Sequence, residues 1–260
     1  SSQPAITLYR AYEIQNLEHL GLEVLRQALN ARPDDGDLLL YLSDVQNGNG
    51  NYSEADKLLA QAKPLTPPGQ WLYTAARHAG QRHEHQHALQ LFTEVVENDP
   101  FNMQAHRQII NLLQDLHGDS RAIEYAREVW ARFPNNPRIH EQLIELLQEH
   151  DPLEAETVLK DLFSRHPKHS YARRQYADIL IRMNRFDEAW AQLEIAEGLE
   201  PNAIGLHNIR GDYYARLGKR EEAIKCYRET IRLSADNDYA INALMRLCYS
   251  SNEKKSQLDY

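Results

Sequence analysis

The sequence has few of the residues that bend, break or cross-link a chain. Glycine and proline occur 11 times each and cysteine twice in 260 residues, while leucine and alanine outnumber valine and threonine. With 42% hydrophobic and 26% charged residues, the composition is that of an ordinary globular protein, which excludes a disordered chain, a collagen-like chain or a disulfide scaffold. Helix formers dominate throughout, so the sequence predicts an all-α protein.

Long runs of one residue class are also missing. No cluster of Lys or Arg stands out, and 38 acidic against 29 basic residues give a net charge of −9. Because binding phosphates requires a basic face, we expect no nucleic-acid partner. The longest apolar stretches, such as residues 38–42, are far shorter than the roughly 20 residues that span a bilayer, so we expect no membrane insertion.

The two cysteines, Cys226 and Cys248, fall in apolar helical contexts. There we expect small buried hydrophobic side chains rather than a disulfide or a reactive pair. Reduced thiols favour a cytoplasmic location, although a periplasmic one is compatible with the sequence. The chain begins Ser1-Ser2, without an initiator Met, a basic leader or an apolar signal core, so we expect it to be a piece of a longer protein.

The prolines reveal a repeat. Six of the eleven are spaced 34, 33, 34, 33 and 34 residues apart, namely Pro33, Pro67, Pro100, Pro134, Pro167 and Pro201. Twelve residues before each marker, and before Ala235 where a seventh unit ends without proline, stands a small residue: Gly21, Ala55, Ala88, Ala122, Ala155, Ala189 and Ala223. The positions eight and five residues before each marker are small or apolar except for Thr230, and such offsets line one face of a helix.

Each unit therefore predicts a hairpin of two amphipathic helices. The small residue allows the two helices to approach closely, and proline ends the second helix because it lacks an amide hydrogen. The predicted units are about 1–33, 34–67, 68–100, 101–134, 135–167, 168–201 and 202–235, with a closing helix at 236–250 and a polar tail at 251–260.

The unit at 202–235 has the most complete pattern, with Gly211, Tyr214, Ala223 and Tyr227 at regular positions. This pattern resembles the tetratricopeptide repeat family, and the unit at 168–201 matches nearly as well. The resemblance implies a right-handed superhelical solenoid of antiparallel helix hairpins, whose inner wall is built from the first helix of each hairpin. It also implies a non-catalytic protein that binds another protein or a peptide in its concave groove.

Under this resemblance, the residues of each first helix that lie opposite its packing stripe face the groove. They are polar and of mixed charge, which suits hydrogen bonding and charge pairing along an extended peptide. The candidate partner-binding residues are Arg77, Arg107, Asn111, Glu141, Tyr171, Arg174, Asp178, Asn208, Asp212, Tyr239 and Asn242.

Two alternatives to a simple scaffold remain open at the sequence level. The chain could be the substrate-recognition or regulatory region of a larger multidomain enzyme whose catalytic domain lies outside it. It could also form homo-oligomers through the ends of the solenoid, because the first predicted helix carries a set of apolar side chains that includes Ile6, Leu8, Tyr9, Tyr12 and Ile14. The identity of the partner is not specified by the sequence.

The segment His83-Glu84-His85-Gln86-His87 fits the H-E-x-x-H pattern of zinc-dependent hydrolases. That chemistry needs both histidines on one buried helical face and a third protein ligand. Here His83 falls at the predicted turn of its hairpin, and Ala88 is the close-packing residue of the second helix. We therefore expect a histidine-rich turn, with no metal and no cofactor. Five further histidines are scattered along the chain, namely His19, His106, His140, His150 and His207, and we interpret most of them as turn or groove-rim residues.

Overall fold

A computed structural model describes residues 2–247 of the chain. Every regular element in this part is helical, which confirms the all-α prediction. The chain divides into two compact units, residues 1–129 and 130–260, and each is described by itself. The last three residues of the predicted closing helix, 248–250, lie outside the described residues, and Cys248 is one of them. The polar tail at 251–260 also lies outside the described residues.

The first unit is built from neighbouring antiparallel helices. The helix α1 packs on α2, α3 on α4 and α5 on α6, and α3 also lies against α5. A short 3-10 turn, Lys63–Leu65, follows α4, and α8 runs past the boundary between the units. The helices are α1 Gln3–Ile14, α2 Glu18–Ala31, α3 Gly36–Gly48, α4 Tyr52–Ala62, α5 Pro68–Gln81, α6 His85–Asn98, α7 Met103–His117 and α8 Asp119–Arg132.

The second unit has the same construction. The helix α9 packs on α10, α11 on α12 and α13 on α14, while α15 covers α14, and the first helices α11 and α13 lie side by side. The predicted closing helix begins at Asp238. The helices are α9 Pro137–His150, α10 Pro152–Arg165, α11 Ser170–Arg182, α12 Phe186–Leu199, α13 Ile204–Arg216, α14 Arg220–Leu233 and α15 Asp238–Leu247. No helix within residues 2–247 has the length and apolarity of a membrane span.

The small-residue column is fully enclosed at the contact between the two helices of each hairpin. Gly21 is buried, and the six alanines of the column have no solvent exposure. Their nearest companions on the same helical face, such as Leu25, Phe92 and Leu193, are equally buried. Thr230, the polar exception, is also buried, and its hydroxyl has no hydrogen-bond partner within residues 2–247. The sequence periodicity therefore identifies the packed face of each second helix.

The turns inside the hairpins explain why certain residues recur there. Asn16, Gly50, His83, Asn184 and Gly218 all adopt the left-handed conformation, with φ between 58° and 76°. The residue after each of them donates its backbone N–H to the carbonyl five residues earlier, at 2.8–2.9 Å. This bond closes the end of the first helix in a Schellman motif. Glycine and asparagine tolerate this conformation best, and histidine is among the side chains enriched there.

Two hairpins have shorter turns. A single residue, Gly118, separates α7 from α8, and a single residue, Asp151, separates α9 from α10. Gly118 has a φ of 82°, where glycine avoids the strain that a side chain would meet. Asp151 accepts a hydrogen bond from the backbone N–H of Glu154 at 3.0 Å, so it ends one helix and caps the next.

The apolar side chains of α1 have two different environments. Ile6 and Tyr9 are buried in the core of the first unit, where Tyr9 meets Tyr41 edge to face at a centroid distance of 5.7 Å. Leu8 and Ile14 are exposed by 44% and 83%. Part of the apolar set therefore stabilises the first hairpins, and self-association through the remaining exposed side chains stays a prediction.

A pair of glycine substitutions in the second unit tests the close helix contact. A Cβ atom at Gly211 would lie 2.7 Å from Cζ of the buried Tyr227 ring, whereas a Cβ atom at Gly198 would have no neighbouring side chain of the described residues within 4 Å. Gly211→Ala should lower the free energy of unfolding by about 1–3 kcal/mol through overpacking. Gly198→Ala should raise it by up to about 1 kcal/mol because alanine favours the helix.

Urea unfolding followed by circular dichroism measures both effects as shifts of the midpoint at unchanged slope. Gly198→Ala is the matched control, since it makes the same chemical change in a helix without the neighbouring ring. An increase in stability for both variants would contradict the close contact between α13 and Tyr227.

Candidate functional site

All eleven sequence-predicted site residues lie on first helices or on the closing helix. Arg107, Glu141, Arg174, Asn208 and Asn242 occupy one register position, spaced 33 or 34 residues apart. Arg77, Asn111, Asp178 and Asp212 occupy a second register position, one helical turn after the first. Tyr171 and Tyr239 occupy a third position, one helical turn before the first. The repeat therefore places these side chains on corresponding faces of successive helices.

A cavity of about 420 Å³ lies on this face in the second unit. The helices α11, α13 and α15 form it together with Tyr227 of α14, and three of the predicted residues line it, namely Asp178, Asp212 and Tyr239. A second depression of about 640 Å³ adjoins it along α15 and is lined by Tyr239, Asn242, Met245 and Arg246. Four of the eleven predicted residues therefore lie at these two depressions.

The two aspartates of the cavity are already bonded within the protein. Asp178 Oδ2 accepts a hydrogen bond from Arg182 Nε at 3.0 Å. Asp212 Oδ1 accepts hydrogen bonds from the hydroxyl groups of Tyr227 and Tyr239, each at 2.7 Å. Burial raises the pKa of both carboxyl groups above the ordinary value, because a charged carboxylate is less well solvated there than in water.

Three arginines outside the candidate set also line the cavity: Arg182, Arg216 and Arg246. Arg182 and Arg216 stand four residues after Asp178 and Asp212, one helical turn along the same face, and Arg246 stands four residues after Asn242. This spacing could have identified them, since side chains one turn apart share a helical face. The cavity is therefore lined by both acidic and basic groups.

Other predicted residues of the second unit are engaged elsewhere. Arg174 donates to Ser170 Oγ at 2.6 Å and pairs with Glu200 at 2.9 Å, and its side chain crosses over Gly205, where a Cβ would lie 3.3 Å from Nε. The Tyr171 hydroxyl donates to a carboxylate of α9 at 2.8 Å. Arg174 would have to exchange an internal ion pair in order to contact a partner.

Glu141 and Asn208 also lie outside the cavity. Glu141 lies 3.2 Å from the Nε2 atom of His169, which packs at the start of α11. Asn208 is half-buried on α13, and its enclosed side-chain oxygen has no hydrogen-bond partner in the part of the chain that the structure describes. The cavity therefore does not gather the whole predicted set of the second unit.

The predicted residues of the first unit lie on α5 and α7. Arg77 of α5 pairs with Asp44 of α3 at 3.1 Å, and the buried neighbour His78 bonds the other oxygen of Asp44 at 2.9 Å. Arg107 and Asn111 are exposed on α7. The Arg77 pair therefore ties two first helices together.

The structure corrects the interpretation of the scattered histidines. His106 and His140 are buried, and His207 is half-buried. His106 bonds the Tyr125 hydroxyl at 2.8 Å and the Pro100 carbonyl at 3.0 Å, while His140 bonds Asp161 at 3.0 Å. His106 and His140 therefore join the two helices of a hairpin instead of lining a groove. All three follow a marker proline by six residues, a regularity visible in the sequence.

The zinc-like motif has the turn geometry that the sequence predicted. His83 occupies the left-handed turn residue, and α6 begins only at His85. His83 and His87 therefore do not share one helix, which the zinc motif requires. Within residues 2–247 no group of three or more His, Cys, Asp or Glu side chains has the arrangement of a metal site.

Cys226, the cysteine within the described residues, is half-buried on α14 and has a free thiol. Burial raises the pKa of its thiol to about 11. A thiol with so high a pKa is almost fully protonated at neutral pH and is a poor nucleophile. The side chain is thus half-buried, whereas the sequence predicted a buried one.

Two aspartates with opposite pKa shifts test the electrostatics of the second unit. The pKa of Asp212 is raised by burial, so its charged form reduces stability above that pKa, and the cost disappears as the pH falls below about 3.9. The Arg165 side chain lowers the pKa of Asp161, so this carboxylate adds stability at neutral pH that is lost on acidification. Asp212→Asn should therefore stabilise the protein at pH 7, and Asp161→Asn should destabilise it.

Chemical unfolding of both variants and the unmodified chain across the acidic to neutral range provides the measurement. Both differences should shrink towards zero at the acidic end, where the wild-type carboxyl groups are protonated. A loss of stability at pH 7 for Asp212→Asn as large as that for Asp161→Asn would contradict the assigned environments.

The comparison with solved structures supports this architecture. A tetratricopeptide repeat protein from Parabacteroides merdae is 17% identical, with a TM-score of 0.63 over 95% of this chain and 98% of that chain. A thermophilic TPR protein from Thermus thermophilus is 19% identical, with a TM-score of 0.54 over 74% of this chain and 100% of that one. At such identities the similarity concerns the fold alone, and it supports a helical solenoid.

A third solved structure is similar at the level of the fold. It is a chain of the APC/C hetero-tetramer Cut9-Hcn1. The two chains are 16% identical, with a TM-score of 0.57 over 89% of this chain and 48% of that chain. No curated protein matches the sequence.

The family comparison agrees with the repeat pattern. Proteins of the tetratricopeptide fold generally act as protein-interaction scaffolds, and the family is typically non-catalytic. The family model for the tetratricopeptide repeat matches residues 58–258, more than three quarters of the sequence. The chain therefore belongs to the tetratricopeptide repeat family.

Proposed function

We propose that this chain is a non-catalytic scaffold that binds an extended segment of a partner protein on the polar face of its first helices. The observation that carries the proposal is the cavity between α11, α13 and α15, which is lined by side chains from the predicted partner-binding set. Polar depressions that cross several helices of a repeat array suit an extended peptide, because each repeat contributes side chains at a regular spacing.

The chemistry of this face favours recognition by hydrogen bonds and charge. Tyr239 is 47% exposed and Asn242 is exposed on the next turn of α15. Tyrosine supplies contact area at low entropic cost, and the amide group of asparagine can both donate to and accept from a peptide backbone. These two side chains therefore make suitable probes of the proposed face.

Affinity capture with the intact chain, followed by mass spectrometry, should recover a partner protein. The variant Tyr239→Ala with Asn242→Ala should lose that partner, because it removes an aromatic surface and an amide from the proposed face. A control with the same composition is Tyr52→Ala with Asn98→Ala, which changes exposed residues on the second helices α4 and α6.

Both double variants should keep the helical circular dichroism of the unmodified chain. Retention of the partner by the α15 variant, or its equal loss in the control, would contradict binding on the first-helix face. Light scattering of the unmodified chain measures its oligomeric state in the same experiment, so that capture of a second copy is recognised.

A further inference from the structure

The hydrogen-bonding groups of the cavity are unequally satisfied. Its acceptors are the carboxylates of Asp178 and Asp212, and both already receive hydrogen bonds from Arg182, Tyr227 and Tyr239. Both oxygens of Asp212 and Oδ2 of Asp178 are thus engaged, and within residues 2–247 Asp178 Oδ1 is the carboxylate oxygen of the cavity that receives no hydrogen bond. The guanidinium group of Arg182, bonded to the other oxygen of Asp178, disfavours a second cation there.

The hydrogen-bond donors of the cavity have more unused capacity than its acceptors. Arg216 and Arg246 line it and are both exposed, and within residues 2–247 neither lies at ion-pair or hydrogen-bond distance from an acceptor. They act on the two aspartates only at longer range. Each guanidinium group can present a planar fork of donors to a carboxylate. The cavity therefore presents cationic donors that have no acceptor among the described residues. The ligand that complements these donors is an anion.

We propose that the cavity binds an acidic side chain of the partner polypeptide, whose carboxylate is held by the guanidinium groups of Arg216 and Arg246. This inference rests on the proposed function, since it names the chemistry of the segment that the same face takes. The overall charge of −9 makes the local pair of unpaired arginines a specific feature of this face rather than part of a general basic surface.

The adjoining depression indicates what surrounds the acidic residue. Tyr239 and Arg246 are shared between the two depressions, so a peptide can pass from one to the other. Asn242 provides an amide for the peptide backbone, and Met245, which is 39% exposed, provides an apolar and adaptable surface. The expected recognition element is therefore an acidic residue close to an apolar one in an extended segment.

A nucleic acid fits the same surface less well. Two guanidinium groups neutralise at most two phosphates, whereas non-specific nucleic-acid binding uses many such contacts. In the same unit, α9 carries Glu141, Glu145 and Glu149 one turn apart along one face, and these carboxylates disfavour a polyanion.

The proposal is tested by selection from a display library of random peptides. Both ends of each peptide are embedded in carrier sequence. Peptides of about a dozen residues span roughly 40 Å when extended, enough to cross three helices. Peptides selected by the unmodified chain should be enriched in Asp and Glu. Their affinity should fall at least about tenfold for Arg216→Gln with Arg246→Gln.

The matched control is Arg26→Gln with Lys225→Gln. It removes two positive charges from exposed positions on the second helices α2 and α14 and should leave affinity within about twofold, as for general surface charge. Replacing Arg216 and Arg246 by Glu should redirect selection towards peptides that contain Lys or Arg. A single-stranded DNA of similar length should bind more weakly than the selected peptides.

The outcomes separate this inference from the proposed function. The inference is overturned, and the binding face is left intact, by one combination of results. The selected peptides then lack acidic enrichment or bind R216Q/R246Q normally, but they no longer bind the variant Tyr239→Ala with Asn242→Ala. Tighter binding of the DNA, with loss in R216Q/R246Q, would replace the peptide by a nucleic acid. Failure to select any peptide, or binding insensitive to every one of these changes, would overturn both proposals.

Discussion

The close contact between the two helices of a hairpin is the constraint on which the rest of the structure depends. One small residue per repeat, such as Ala88 or Ala189, is completely enclosed there, and larger companions on the same helical face fill the space beside it. Because an interior packs nearly as densely as an organic crystal, this contact fixes which face of each helix points inward. The opposite face of each first helix is thereby set, and its side chains recur every 33 or 34 residues.

That recurrence gives the polar face its chemistry. Corresponding positions on α11 and α13 carry Asp178 and Asp212, and the turn that follows carries Arg182 and Arg216. Internal donors bond both aspartates, whereas the guanidinium group of Arg216 finds no acceptor within bonding distance among the described residues. The fold therefore supplies a row of equivalent positions, and the differences between repeats determine which positions remain available to a partner.

The sequence predicts those parts of the structure that depend on local and periodic physics. The turn position of His83 and the burial of the small-residue column follow from spacing and backbone preference, and the structure confirms both. Contacts between non-equivalent positions are harder to predict. Tyr227 is recognisable as a packing residue, but the bond from its hydroxyl to Asp212 depends on the approach of α14 to α13. His106 and His140 were misread because a polar residue was assumed to face solvent.

Hydrogen–deuterium exchange on the intact chain, with and without its bound partner segment, tests the central claim most directly. A segment that lies on the polar face should slow amide exchange in α11, α13 and α15, because ligand binding suppresses the local opening of the helices it contacts. Exchange in α10, α12 and α14 should change much less. Slower exchange confined to these second helices would contradict the account, since it would place the partner on the opposite face of the hairpins.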